Sequence, residues 1–219
     1  MANLQLRVYV PPHPSIKHWL AIVRDADTPM PLFRTAIGEL SHWLTYEAAR
    51  EWLPTQMVQV QTPLTPCDAE IIDVSQPIAI VPVLRAGLAM VDKCQAILSN
   101  GRVYHLGFKR DETTLESSCY LNRLPDTFAA NTRVAILEPM LATGGTIIQT
   151  LQELEQRGAD ISLVRILSII SSAPALKRIG ETYPTLQIYT ATIDERLNEQ
   201  GFIVPGLGDA GDRAFGTEG

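Results

Sequence analysis

The sequence predicts an α/β fold in which a mainly parallel sheet is flanked by helices. Short apolar runs alternate along the chain with segments of helical periodicity. The runs at 77–83, 133–139 and 162–170 are almost continuously apolar, which is typical of strands covered on both faces. Further strands are predicted at 103–108 and 186–191. Ligands of open parallel sheets bind beyond the carboxyl ends of the strands, so the loops after these ends are the candidate binding segments: those after residues 83, 108, 138 and 191.

Composition excludes several classes of protein. The 219 residues are 46% hydrophobic and 19% charged, enough for a full core and unlike a disordered chain. The net charge of -6 argues against a broad nucleic-acid surface but allows an anionic substrate in a locally positive pocket. No apolar stretch approaches the ~18 residues of a membrane span. Three scattered cysteines, Cys67, Cys94 and Cys119, predict reduced thiols in a cytoplasmic protein.

The chain divides into three parts within a single predicted domain of residues 1–219. An N-terminal helical part covers about 1–60, with residues 12–55 as helix, and the α/β core covers 77–191. A glycine-rich tail, 192–219, has little regular periodicity but keeps apolar residues, so we expect it to pack against the core. The helical part carries three tryptophans, which we interpret as core or subunit packing: Trp19, Trp43 and Trp52.

The strongest local signal is a tight turn between a strand and a helix. The strand at 133–139 delivers Glu138 at its end, the turn at 142–146 reads Ala-Thr-Gly-Gly-Thr, and a helix is predicted at 147–158. Helix N-termini attract phosphate, and two glycines let the backbone approach an anion closely. The turn matches neither GxxxxGK[ST] nor GxGxxG. Its pattern therefore fits a phosphate cradle or a structural turn, and the preceding carboxylate favours the cradle.

Three other segments carry candidate binding residues. Arg85 follows the apolar run VPVL, at a strand end where a guanidinium suits phosphate oxygens, although a surface arginine is the simpler alternative. Lys109 and Arg110 lie where a strand gives way to the polar loop 110–118, which is either a closing lid or an ordinary charged loop. The backbone of the tail at 193–217 is suited to approach a planar base.

Together these segments closely resemble the uracil phosphoribosyltransferase family. The resemblance covers nearly the whole chain and rests on HPSIKHWLAIVRD, LTYEAAR, VPVLRAG, KRDETTLE, EPMLATGGT and the tail IDERLNEQGFIVPGLGDAGDRAFGT. The tail is the most specific of these motifs. The resemblance implies a type I phosphoribosyltransferase core with a hood over the base. It also implies transfer of phosphoribose from phosphoribosyl pyrophosphate to uracil, which gives UMP and pyrophosphate for pyrimidine salvage.

The resemblance implies roles for matching residues. Arg85, with Ala86 and Gly87, and Arg110 would contact the pyrophosphate of the donor. The donor would also meet the segment after the strand, with the 5′-phosphate at 142–146: Glu138, Pro139, Met140, Leu141, Ala142, Thr143, Gly144, Gly145 and Thr146. Uracil would be recognised by the tail: Ile203, Gly208, Asp209 and Ala210. Arg85, Arg110 and Asp209 would be the catalytic residues, with Asp209 near the ribose or the metal. Mg²⁺ would enter with the donor, without a dedicated protein site.

One departure from the family pattern concerns the residue expected to hold the ribose hydroxyls. Where the family usually has Asp-Pro, this chain has Glu138-Pro139. The extra methylene moves the carboxylate by about one bond, and a misplacement near 1 Å can cost ~100-fold in rate. Two alternatives therefore stay open: a catalytically weakened regulatory protein that binds the donor or UMP, and a transferase for another base. The resemblance further implies a homo-oligomer, and GTP is a candidate activator.

Overall fold

A mostly parallel sheet with helices on both faces forms the centre of the molecule. The computed structural model describes residues 6–110 and 117–217. Its helices are α1 (Pro14–Arg24), α2 (Met30–Ala49), α3 (Leu88–Gln95), α4 (Gly145–Gln156), α5 (Ala173–Thr182) and α6 (Ala210–Phe215). Its strands are β1 (Arg7–Tyr9), β2 (Thr55–Gln61), β3 (Pro66–Ile72), β4 (Ile78–Leu84), β5 (Arg102–Val103), β6 (Leu106–Arg110), β7 (Ser117–Asn122), β8 (Arg133–Leu137), β9 (Met140–Leu141), β10 (Val164–Ser172), β11 (Gln187–Asp194), β12 (Arg196–Leu197) and β13 (Ile203–Val204).

The strand order brings the predicted binding loops to one edge of the sheet. The main path within the described residues is β1-β11-β10-β8-β4-β6-β7. All neighbours on this path are parallel except β6 and β7. The predicted fold class, a mainly parallel sheet flanked by helices, is therefore confirmed. Because β4, β8, β10 and β11 run side by side in the same direction, the residues that follow them meet beyond their carboxyl ends.

The central strands bury both of their faces. On β4, Ile78 and Ile80 pack into a cluster with the helices α1, α2 and α3, whereas Ala79 and Val81 pack into a second cluster with α4 and α5. Successive side chains of a strand point to opposite faces, so a run without polar residues is required here. This packing explains why the three apolar runs of the core were recognisable as strands.

The predicted helical segment, residues 12–55, folds as two helices joined by a bend, α1 and α2. Asp25 ends α1 in an extended conformation, and Pro29 precedes α2, which contains a second proline near its start. A residue before proline is pushed away from helical geometry, so the chain turns here. The tryptophans pack inward: Trp52 is buried, and Trp19 and Trp43 lie partly buried against the same cluster. None of the described helices is long and apolar enough to cross a membrane.

Several segments hold regular structure that the sequence patterns did not predict, among them the short strand β1 and the strand β7, which begins within the predicted polar loop 110–118. β2 and β3 pair as an antiparallel hairpin, which we call the arm (residues 55–72). β2 overlaps the end of the predicted helical part, about 1–60. Both strands of the arm are exposed along most of their length, so no buried face marked them as strands in the sequence. The tail, too, is more regular than predicted, with an antiparallel β12–β13 pair and the short helix α6.

The tail is fastened to the N-terminal helices by two arginines. Arg24 of α1 contacts both carboxylate oxygens of Asp194, at 2.6 and 2.9 Å, and donates to the carbonyl oxygen of Gly206 at 2.8 Å. The N–H of Gly206 in turn donates to Asp194. Arg213 of α6 donates to the carbonyl oxygens of Val23 and Leu207 at 2.6 and 2.7 Å. These contacts fix the loop between β13 and α6 on the rest of the fold.

Arg213 also lies with its guanidinium carbon 4.2 Å from the ring centre of Phe33. The planar guanidinium donates to several carbonyl oxygens and contacts the ring at the same time. The ammonium group of a lysine lacks this geometry. We therefore expect Arg213→Lys to lower the free energy of unfolding by roughly 2 kcal/mol and the Tm by roughly 5 °C.

The matched control for this thermal unfolding measurement is Arg196→Lys, at an exposed arginine of the same tail. We expect the Tm of that variant to stay within about 1 °C of the parent. Equal melting of the two variants would show that Arg213 does not fasten the tail.

Candidate active site

Two adjoining cavities lie beyond the carboxyl ends of the central strands. The larger, about 820 Å³, is lined by the turn at 142–146 and the first residues of α4. The smaller, about 300 Å³, is lined by the loop between β13 and α6. Both cavities share three residues of the segment after β8, namely Glu138, Met140 and Ala142. The predicted phosphate turn and the predicted base loop therefore face the same crevice.

The turn at 142–146 has the geometry of an anion cradle. Gly144 adopts a φ of 77°, and a β-carbon there would lie 3.2 Å from the carbonyl oxygen of Ala175. Glycine is required both by this left-handed conformation and by the close approach of α5. Among the described residues no side chain caps α4 at this end. The first N–H groups of a helix lack intrahelical partners, so they are available to an anion in the larger cavity.

The loop after β4 is packed tightly against the end of β8. A β-carbon on Gly87 would lie 2.7 Å from the backbone nitrogen of Val83 and would also collide with the carbonyl oxygen of Leu137. Only glycine allows the two strand ends to approach this closely. Of the neighbouring residues, Ala86 lines the smaller cavity. The sequence motif Arg-Ala-Gly therefore folds as a short turn that leaves Arg85 at the edge of the crevice.

Arg85 is held by the tail. Its Nη2 contacts Asp212 Oδ1 at 2.8 Å, and its Nη1 donates to the hydroxyl of Thr217 at 3.0 Å. The Thr217 hydroxyl donates to the same Asp212 oxygen at 2.6 Å. The hydrogen bond from Thr217 and the guanidinium of Arg85 hold the pKa of Asp212 below its usual range. The side chain of Arg85 remains about half exposed (53%), so an anion can reach it.

Glu138 lies at the junction of the two cavities. Burial raises the pKa of its carboxyl group to about 8, the backbone N–H of Met140 acts in the opposite direction, and the charge of Asp209 raises the pKa further. At neutral pH most of the Glu138 side chains therefore carry a proton. A protonated carboxyl group can donate one hydrogen bond and accept others, which suits a site for sugar hydroxyls.

The base loop combines buried apolar residues with exposed backbone. Ile203 and Ala210 are buried, and Gly208 and Asp209 line the smaller cavity with them. The Asp209 side chain accepts a hydrogen bond from the N–H of Asp212 at 2.9 Å and so begins α6. Arg24 and Asp194 support this loop from behind: burial disfavours the Asp194 carboxylate, but hydrogen bonds from Arg24 and Gly206 outweigh burial and leave its pKa below the usual value.

The structure adds residues to the crevice that the sequence did not single out. Phe202 lines the smaller cavity, and Phe108 and Arg178 line the larger one. Phe202 stood within the recognised tail motif, so an aromatic side chain beside a base-binding loop was a usable signal. Arg178 had no such signal, because only folding brings α5 to the turn. β6 ends at Arg110, whose predicted role stays a prediction, and residues 111–116 of the predicted lid lie outside the described residues.

A turn with the geometry of an anion cradle, an arginine and a glycine-rich loop at the strand ends of a parallel sheet are typical of nucleotide-binding α/β proteins. Residues 10–217 match the family described as uracil phosphoribosyltransferase, and the chain belongs to this family. It is 61% identical to the uracil phosphoribosyltransferase of a Nostoc species, over 98% of this chain and 100% of that relative. It is 49% identical to the chloroplastic uracil phosphoribosyltransferase of Arabidopsis thaliana, over 98% of this chain and 72% of that relative.

A solved structure, that of the AQ2163 protein from Aquifex aeolicus, has the same fold. Its TM-score is 0.87 at 37% sequence identity, and the match covers 96% of this chain and 99% of that one. The match extends over both the sheet and the parts that flank it. The resemblance that the motifs implied is thereby confirmed at the level of the family.

The raised pKa of Glu138 predicts a pH-dependent effect on stability. The folded protein keeps this proton up to about pH 8, whereas the unfolded chain loses it near 4.5. The unfolded state therefore binds fewer protons between these values, and stability falls as pH rises through this window. Glu138→Gln removes the titration. We expect the variant to melt roughly 10 °C above the parent at pH 8.5, with a smaller difference at pH 6.

Glu181→Gln, at an exposed glutamate of α5, provides the control for these melting curves. Its difference from the parent is expected to be independent of pH. A Glu138→Gln difference that is equally flat between pH 5 and 9 would contradict the raised pKa.

Proposed function

We propose that this protein catalyses transfer of phosphoribose from phosphoribosyl pyrophosphate to uracil, giving UMP and pyrophosphate. The observation that carries the proposal is the junction of the two cavities at Glu138, Met140 and Ala142. A cradle for a phosphate and a pocket for a planar base adjoin there, as one nucleotide requires. The relatives named uracil phosphoribosyltransferase support uracil as the base.

In this proposal the ribose phosphate of the donor occupies the larger cavity, and its pyrophosphate extends past the junction of the two cavities toward the loop after β4. Its 5′-phosphate lies in the turn at 142–146, where N–H groups and two threonine hydroxyls donate to it. The ribose hydroxyls meet Glu138. The pyrophosphate is bound by Arg85, Ala86 and Gly87, and by Arg110 from the end of β6. Arg85 then exchanges Asp212 and Thr217 for phosphate oxygens, which accept the bidentate geometry of a guanidinium equally well.

Uracil occupies the smaller cavity, in contact with Ile203, Gly208 and Ala210, and is read mainly by backbone groups. The bond between ribose C1 and the pyrophosphate oxygen loosens first, so positive charge develops on the ribose. Arg85 and Arg110 stabilise the negative charge on the departing pyrophosphate, which is the main electrostatic contribution to the rate. A uracil nitrogen forms the new bond to C1 from the opposite face and gives up its proton, which the departing pyrophosphate can accept, so the configuration at C1 is inverted. Alignment of the two substrates supplies much of the remaining rate.

Mg²⁺ belongs to this proposal as an ion that accompanies the donor. The crevice offers two carboxyl groups, Glu138 and Asp209, close enough that the charge of Asp209 raises the pKa of Glu138. Carboxylate and phosphate oxygens are the ligands that Mg²⁺ prefers, so the Asp209 carboxylate fits the ion, whereas Glu138 would have to lose its proton to join it. When bound, Mg²⁺ neutralises charge on the pyrophosphate. Asp209 would lie beside the ribose or the metal, and it also holds the base loop by capping α6.

The direct test is formation of UMP from uracil and phosphoribosyl pyrophosphate with Mg²⁺. We expect turnover by the parent protein, because the Met140 N–H holds the Glu138 carboxyl in the crevice despite its longer side chain. Glu138→Asp shortens the side chain and withdraws the carboxyl by about one bond, so kcat/KM for the donor should fall by about tenfold or more. Glu181→Asp, at the exposed α5 position, is expected to retain full activity.

Other outcomes of this assay distinguish the alternatives. An inactive parent with activity restored by Glu138→Asp would mean that the glutamate weakens the site. Donor binding without turnover in both proteins would favour the regulatory protein. Turnover with another base in place of uracil would assign the smaller cavity to that base.

We also expect a homo-oligomer, as the resemblance implies. Its subunits would meet through the arm and not through the tryptophans of the N-terminal helices. The tryptophans of the N-terminal helices pack inward, whereas the arm exposes apolar side chains, with Leu64 at its tip 95% and Met57 67% exposed. Such a surface is typical of a subunit contact. The parent should sediment as a dimer or larger assembly, and the double variant Met57→Glu, Leu64→Glu should dissociate it.

Gln59→Glu, at an exposed polar residue of β2, is the control for charge on the arm. Sedimentation of the parent as a monomer would contradict the oligomer. An unchanged assembly in the double variant would place the contact elsewhere. Activation by GTP and a cytoplasmic location stay predictions of the sequence.

A further inference from the structure

The larger cavity has a single positively charged side chain among the described residues that line it. This residue is Arg178 of α5. The one acidic residue among the same lining residues is Glu138. The turn at 142–146 itself contains no lysine or arginine. A phosphate monoester carries close to two negative charges at neutral pH, as a phosphorylated side chain does. The cradle therefore gains its side-chain charge from a different element of the fold.

Helix α5 is locked against the cradle by its first residues. The hydroxyl of Ser172 donates to the carbonyl oxygen of Ala142 at 2.6 Å and accepts from the N–H of Ala175 at 3.0 Å. The backbone of Gly144 in turn lies against Ala175, where no side chain would fit. The Ser172 hydroxyl and the close approach of Gly144 to Ala175 thus set the position of α5 relative to the turn. Arg178 takes its place beside the turn from this helix.

The guanidinium of Arg178 lies directly beside the first residues of α4. Its Nη1 is 3.4 Å from the carbonyl oxygen of Thr143 and 3.6 Å from the position that a β-carbon of Gly145 would occupy. A hydrogen bond of 3.4 Å is weak. The side chain is exposed, and a guanidinium has five N–H donors, so donors remain for an anion in the cavity.

We propose that Arg178 is a binding residue for the 5′-phosphate, acting together with the N–H groups of the turn at 142–146. The inference rests on the proposed function for the identity of the ligand, and it assigns to this chain a contact from α5 outside the recognised motifs. Arg178 binds one end of the donor and Arg85 the other. Loss of Arg178 weakens ligands that carry the ribose phosphate and leaves pyrophosphate unaffected.

Calorimetric titration of the full chain tests this inference with ribose 5-phosphate and, separately, with inorganic pyrophosphate and Mg²⁺. Arg178→Gln should bind ribose 5-phosphate about tenfold more weakly, the loss expected for one charge-assisted hydrogen bond. Its affinity for pyrophosphate should stay within about twofold of the parent. Arg178→Lys should fall between the parent and Arg178→Gln, because it keeps the charge and loses the fork.

The matched control is Lys177→Gln, which removes the same charge from the neighbouring exposed position of α5, outside both cavities. Equal affinity of the parent and Arg178→Gln for ribose 5-phosphate would overturn the inference. Equal weakening by Lys177→Gln, or weakening of pyrophosphate as well, would overturn it too, since either result indicates a general electrostatic effect. The readout is binding, so the two claims can fail separately. A parent that forms no UMP but binds ribose 5-phosphate through Arg178 would contradict the proposed function and support this inference.

Discussion

The contact of Arg24 with Asp194 and Gly206 is the constraint on which the crevice depends. It joins α1 to the end of β11, across 170 positions of the chain. The loop between β13 and α6 has no helix or strand of its own, so its shape depends on contacts with the rest of the fold. The two-point contact between the guanidinium and the carboxylate fixes Asp194, and Asp194 fixes the N–H of Gly206. These contacts anchor the wall of the smaller cavity to the N-terminal helices behind it.

The same tail connects the two halves of the crevice. Asp209 begins α6 beside the smaller cavity, and Asp212, within α6, holds Arg85 at the edge of the crevice. An anion that draws Arg85 away from Asp212 removes the positive charge beside this carboxylate. The hydrogen bond from the Thr217 hydroxyl stays in place. The charge balance of α6 therefore changes when the donor binds. In the proposed reaction this gives the base loop a physical means of responding to the donor.

Much of the site could be predicted because its parts are local in sequence. The strands β4 and β8 are short apolar runs, and the turn at 142–146 stands between a strand and an amphipathic helix. Parallel strands place their ends at one edge, so the meeting of Arg85, Glu138 and the turn followed from the fold class alone. The family motifs added the base loop, which no periodicity would have marked.

The remaining features depend on contacts between distant segments. The arm consists of exposed strands without a buried face, so it lacks the alternation by which half-buried strands are recognised. Arg178 looks like an ordinary surface arginine until Ser172 places α5 against the turn. The pairing of Arg85 with Asp212 joins residues 127 positions apart. The high pKa of Glu138 likewise arises from burial at a junction that exists only in the folded chain.

The central claim is that the two cavities bind the two parts of one nucleotide. A crystal structure of the protein with UMP tests it most directly. The account predicts the phosphate of UMP against the N–H groups at 142–146, within hydrogen-bonding distance of the Arg178 guanidinium, and the uracil ring between Ile203 and Ala210. A phosphate bound away from the turn, or a base outside the smaller cavity, would contradict the account.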